Sequence, residues 1–112
     1  MKSASKPRTR KVKAWVPPIL DEDALDRLRT DPPYAAAYVD QATRADDSKA
    51  TLLLAIRQVA KAHGMAKVAL AAGITRESLY RALSAKGNPR VMTLKAVVEA
   101  MGLKLTVRKA GA

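Results

Sequence analysis

The sequence has no cysteine and only one histidine, His63. Disulfides and thiolate metal sites are thereby excluded, and a His-ligated zinc site lacks its second imidazole. Phenylalanine is also missing, leaving one Trp and three Tyr as the aromatic set. Such a chain is poorly supplied for a β-sandwich, whereas its abundant Ala suits closely packed helices. No apolar run reaches the roughly 18 residues of a membrane span, and the basic start, Lys2 to Val16, lacks the continuous apolar stretch of a secretory signal. A nucleic-acid enzyme finds no His pair, no Cys and no Gly-rich phosphate loop. The acidic run Asp21, Glu22, Asp23 could in principle hold magnesium, but it reads better as the start of a helix. The expectation is a mostly α, cytoplasmic protein that is not an enzyme, with no catalytic residue, metal, cofactor or membrane partner.

What is present is positive charge, unevenly placed. The 112 residues carry a net charge of +11. Residues 1 to 14 hold six basic and no acidic side chains. From 15 to 47 the balance reverses to −5, since Arg27, Arg29 and Arg44 face eight carboxylates. From 48 to 112 twelve basic groups face only Glu77 and Glu99, giving +10. A polyanion is therefore expected to meet the C-terminal part.

At this length one domain is expected. Residues 1–18, rich in Lys and Arg and broken by Pro7, Pro17 and Pro18, read as a flexible basic tail, and 19–112 as the folded domain. The tail's role stays open between an arm for phosphates, a solubilising segment and a misplaced start codon. Asp21 to Arg29 reads as a short helix ending near Thr30. Asp31 then caps a helix with Pro32 or Pro33 in its first turn, running to about Ala45, with Tyr34 and Tyr38 as packing residues. Lys49 to His63 repeats apolar residues at Leu52, Leu53, Ile56, Val59 and Ala60, and Gly64 follows as its C-cap. Lys86-Gly-Asn-Pro89 is a turn. Thr93 is placed to cap a helix through Met101, and Leu103 to Val107 alternates like a strand. That strand needs a partner, either a second copy or the stretch near Val16 to Leu20.

Between these elements, Met65 to Ser84 meets the demands of a helix-turn-helix. Ala69 is the small residue that lets two helices approach, and Gly73, four residues on, supplies a turn tolerant of positive φ. Ile74 and Leu79, with Val68, Ala72, Ala82 and Leu83, form the apolar contacts. Thr75 can cap the second helix. Thr75, Arg76, Glu77, Ser78, Tyr80 and Arg81 are then left on the outer side, where a recognition helix meets the major groove of DNA. Arg can pair with guanine, Ser and Thr with bases or phosphates, and Tyr80 with a phosphate or a thymine methyl. Glu77 either accepts from a cytosine or pairs with Arg81.

The run Asp31-Pro-Pro-Tyr-Ala-Ala-Ala-Tyr-Val-Asp, the helix ending Ala-His-Gly-Met65, the segment Gly73-Ile-Thr-Arg-Glu-Ser-Leu-Tyr-Arg-Ala-Leu-Ser84 and then Gly87-Asn-Pro-Arg90 together resemble the HigA-like addiction-module antidote family over roughly residues 20 to 107. The basic first 18 residues depart from that pattern. The resemblance implies a five-helix Cro/repressor-like domain with a short C-terminal strand. It further implies a homodimer that binds its own operator in double-stranded DNA, at the nucleoid, and neutralises a RelE/HigB-like toxin that degrades mRNA. A stand-alone phage-type repressor without a toxin shares every residue named. Two elements can carry the two-fold axis: the helix bearing Val97, Val98 and Met101, or the strand.

Overall fold

The computed structural model describes residues 15–110. Most of the expected tail, residues 1 to 14, lies outside the described residues. Among those described there are six helices and no strand: α1 (Glu22–Thr30), α2 (Pro32–Ala45), α3 (Lys49–His63), α4 (Met65–Ala72), α5 (Arg76–Ala82) and α6 (Val91–Ala100).

The fold is thus mostly helical, but two of its expected details need correction. The first is the helix count, six rather than the five that the resemblance implies; the six helical segments read from the sequence are all present, with Asp31 dividing the first two. Its N–H donates to the Arg27 carbonyl and closes α1, while its carboxylate accepts from Tyr34 N–H and opens α2. One residue with extended backbone (φ −123°, ψ 90°) therefore separates two helices that share no continuous backbone ladder. The second correction is the C-terminal strand. Leu103 N–H donates to the Val98 carbonyl at 3.0 Å, sealing the end of α6 beside Gly102 (φ 79°). Beyond it the chain has no ladder to join, whether near Val16 to Leu20 or elsewhere among the described residues. An isolated extended segment cannot satisfy its own N–H and C=O groups. The α6 cap also differs from expectation: the helix starts at Val91 after Arg90, which makes no side-chain capping bond, and Thr93 lies inside it.

The other helix starts follow from local chemistry. Asp21, Asp31 and Ser48 each accept from a backbone N–H three residues ahead, and both prolines sit where a helix has no N–H to satisfy. Gly64 (φ 103°) breaks α3 from α4 without a loop.

Leu28, Leu53, Val59, Val68, Leu79, Leu83 and Val97 are the largest fully buried side chains, so every helix except α2 contributes to this group or lies next to it in the chain. Ala35 and Ala42 supply the tight face of α2. Val97, Val98 and Met101 are 1%, 6% and 2% exposed within a single copy. The inner face of α6 is therefore covered by the protein's own core and is not left over for a partner. Tyr34 and Tyr38 pack against the same core as expected; Arg27 lies 4.1 Å above the Tyr34 ring, and Trp15 meets Tyr38 edge to face at 5.6 Å.

Candidate functional site

The site is built on the joint between α4 and α5. Gly73 closes α4 in the left-handed region (φ 78°, ψ 26°), and its N–H reaches back to the carbonyls of Ala69 and Leu70. Ile74 N–H also returns to the Ala69 carbonyl at 3.0 Å, so the chain reverses within two residues. Ala69, 2% exposed, and the half-buried Ile74 pack where the two helices meet. Thr75 then caps α5. Its hydroxyl oxygen accepts from Ser78 N–H at 3.0 Å, and its O–H donates to Ser78 Oγ at 2.9 Å.

Along α5 the side chains divide by depth. Leu79 is fully buried and Leu83 just beyond the helix is 1% exposed. Burying each leucine contributes roughly 1.5–3 kcal/mol, which pins the helix to the core by one side. Thr75, Arg76, Glu77 and Arg81 are exposed, while Ser78 and Tyr80 are half-buried. Glu77, Tyr80, Arg81 and Ser84 line one open depression on that side. Thr75 is committed to the cap, since its one proton goes to Ser78; the Ser78 hydroxyl keeps its own proton for an outside acceptor. Glu77 makes no ion pair with Arg81 or any other described residue.

The far end of α5 is fixed by a second glycine. Ser84 Oγ donates to the Arg81 carbonyl at 2.9 Å, and Gly87 N–H donates to the Ser84 carbonyl at 2.8 Å. A Cβ at Gly87 would fall 2.8 Å from the Ala82 carbonyl carbon and from the Arg81 oxygen, and nearer still to the Ala82 oxygen. This glycine is required for close approach, and Gly73 for its backbone angle.

One residue of the site was missed by sequence reasoning. Arg57, from the middle of α3, carries its guanidinium carbon 5.8 Å from the centre of the Tyr80 ring, and Arg76 stands 5.7 Å from the same ring. Its only sequence signal is a cation between the buried Ile56 and Val59 of an amphipathic helix, a position that is as easily a solvated one.

Other chemistry is sparse. Among the described residues no three His, Cys, Asp or Glu side chains gather as a metal site, and no helix is long and apolar enough to cross a membrane. Asp21 is used as a helix cap, accepting from Ala24 N–H at 2.8 Å. His63 ends α3, where burial first and the nearby Lys67 second push its imidazole pKa below the usual value, against a backbone hydrogen bond at Leu28.

A helix pair pinned by Leu79 and turned at Gly73 presents Arg76 and Arg81 without carboxylate partners among the described residues. A family model described as "probable addiction module antidote protein" matches residues 20–109, and the chain belongs to that family. An addiction-module antidote has a toxin as its partner. No curated protein and no solved structure matches the chain.

Proposed function

We propose that the chain is the DNA-binding antitoxin of a type II toxin–antitoxin pair. In this reading it binds its own operator as a homodimer on the nucleoid, represses its operon, and neutralises a RelE/HigB-like mRNA-degrading toxin. It catalyses no reaction itself.

The observation that carries the DNA reading is the division of α5. Leu79 and Leu83 are buried, while Glu77 and Arg81 on the far side of the helix and Arg76 at its first residue are exposed, and neither arginine has a carboxylate partner among the described residues. A helix end so presented, preceded by a glycine turn, has the shape and the donors to enter a major groove. The +10 charge of residues 48 to 112 favours the phosphates around it. Membership of the antidote family favours the toxin-paired reading over a stand-alone repressor.

For the dimer, the segment after α6 is the better-supported element. Leu105 is 41% and Val107 97% exposed, and the segment borders an open groove of about 470 Å³ whose walls include Val39, Leu52, Ile56 and Val98. One recognition helix reads too few base pairs for a specific operator, and a two-fold axis doubles them.

Footprinting of the region upstream of the gene tests the reading. Protection of two inverted half-sites about one helical turn apart is expected. The neighbouring toxin gene, co-expressed, should yield a complex that co-purifies with this chain. No protection at any sequence would remove the DNA role, and a single asymmetric half-site would remove the dimer.

A further inference from the structure

We infer that Arg57 is a phosphate-binding residue, gripping the sugar-phosphate backbone of duplex DNA together with Tyr80 and Arg76 at the edge of α5. The inference rests on the proposed DNA reading and extends it to a helix outside the α4–α5 pair.

Arg57 Nε is buried and has no hydrogen-bond partner. No carboxylate among the described residues pairs with its guanidinium. A buried N–H left without an acceptor is a cost that native structures rarely carry without a reason. The face of Tyr80 offers some attraction to the cation, but the same ring also attracts Arg76, within 6 Å on both counts. Two guanidinium groups gathered on one ring repel each other, and no described acidic side chain pairs with either. An anion beside Tyr80 would be attracted by both cations and could accept from their terminal N–H groups.

Phosphate fits this position better than a base edge does. Arg57 is half-buried on α3, and the exposed side of α5 is already occupied by Arg76, Glu77 and Arg81. A half-buried cation on a neighbouring helix suits the backbone beside a groove better than the base edges that the exposed α5 side chains would meet. Its planar fork can bind two phosphate oxygens at once. The Tyr80 hydroxyl can donate to the same group.

The test uses the full chain with two fluorescent duplexes, one from the region upstream of its gene and one scrambled, titrated over a series of salt concentrations. Arg57→Gln should weaken binding to both duplexes alike, by about tenfold, and make the plot of log K against log salt shallower by about 0.9. Arg57→Lys, which keeps the charge, should retain the parent slope. In the unmutated protein, modification of arginines by phenylglyoxal, read by mass spectrometry, should slow at Arg57 when duplex is bound. This second measurement decides the matter should Arg57→Gln fail to fold. Unchanged affinity and slope for Arg57→Gln, or an Arg57 modified equally fast with and without duplex, overturns the inference. So does a loss confined to the upstream duplex with the slope unchanged, which is the behaviour of a base-reading group. Arg81→Ala separates the two levels: if it weakens binding while Arg57→Gln does not, only the Arg57 assignment falls. A parent protein that binds neither duplex removes the DNA reading itself.

Discussion

The arginines of α1 and α2 and those around α5 lead opposite lives. In the first region each is tied to a carboxylate one turn away: Arg27 to Asp31 at 3.3 Å, Arg29 to Asp26, and Arg44 to Asp40 at 2.8 Å. Arg108 also reaches across to Asp40 at 3.3 Å. In the second region Arg57, Arg76 and Arg81 make no ion pair with a described residue, although Glu77 sits among them. Exposed pairs at helical spacing add only about 0.2–0.5 kcal/mol, so the pairing in α1 and α2 is a modest aid to those helices. The comparison teaches that net charge alone is a poor guide to function here. What matters is which cations the fold leaves uncommitted, and Arg57, Arg76 and Arg81, on or beside α5, are among them.

The largest expected effect comes from exchanging the two kinds of arginine as targets. Arg76→Ala and Arg81→Ala should each weaken operator binding by about 1–3 kcal/mol while the melting temperature stays with the parent. Arg27→Ala and Arg29→Ala should leave binding unchanged and shift stability by about 0.5 kcal/mol for Arg29 and up to about 1.5 kcal/mol for Arg27, which also covers the Tyr34 ring. Fluorescence anisotropy and thermal melts on the same four proteins check both halves. Equal binding losses in the two sets would mean that long-range charge, and not the α5 face, governs affinity.

A second pair of variants asks how the free arginines are held in place. Gly87→Ala forces a Cβ against the Ala82 and Arg81 backbone, and an overpacked contact of this kind costs about 1–3 kcal/mol of stability. Gly73→Ala meets nothing within 4 Å, so its cost is conformational alone, about 1–2 kcal/mol for a left-handed residue. Urea unfolding should rank the Gly87 variant below the Gly73 variant. The reverse order would mean that the turn after α5 yields more readily than its backbone contacts suggest.

How far the sequence alone foretold this arrangement depends on the range of the forces involved. Caps and turns were legible: Asp31, Gly64, Gly73 and Thr75 act through neighbours within four residues, and each does what its side chain or backbone freedom dictates. The exposure of Glu77 and Arg81 was equally readable, because Leu79 and Leu83 fix their opposite side by helical spacing, and Arg76 is exposed as the first residue of α5. Arg57 was not, since its nearness to Tyr80 depends on how α3 packs against α5, a tertiary fact with no local period. The strand failed for a related reason: alternation records which residues can line a sheet, but a ladder needs a second segment that a single copy does not provide. The α6 start moved because Val91 and Met92, 69% and 70% exposed, join the helix without a side-chain cap to mark them.

His63 offers a smaller test, on the boundary between the two regions. Burial lowers its pKa in the folded state, so folding favours the neutral ring. Stability contributed in this way is complete above the ordinary value of 6.5 and is lost as pH falls through the folded value. The parent should therefore melt progressively lower below pH 6.5, and His63→Gln should remove that slope. A variant with the same slope as the parent would assign the loss to other groups.

The smallest effect is expected from Asp46, which stands at the α2–α3 joint in the region of committed charges. Its carboxylate accepts from the Thr51 hydroxyl at 2.7 Å, from Ser48 N–H at 3.1 Å and from Trp15 N–H at 3.2 Å. The Thr51 bond is the main cause, with the backbone N–H groups of Ser48 and Trp15 adding to it, of a pKa below the ordinary aspartate value of 3.8. Thr51 is itself 4% exposed, so this bond satisfies a buried hydroxyl as well as a charge. A depressed carboxylate pKa means that the ionised form is bound more tightly in the folded state. Its stabilisation is present above pH 3.8 and is lost as pH falls through the lower folded value. Asp46→Asn removes the charge while keeping one carbonyl oxygen of similar shape. The variant should melt slightly below the parent at neutral pH and lose less on acidification, so the two curves of melting temperature against pH converge in strong acid. Asp40, held low chiefly by its hydrogen bond from Arg44, titrates in both proteins and keeps part of the acid limb. Curves that stay parallel down to the lowest pH would show that Asp46 holds the joint through shape alone and contributes nothing through its ionisation.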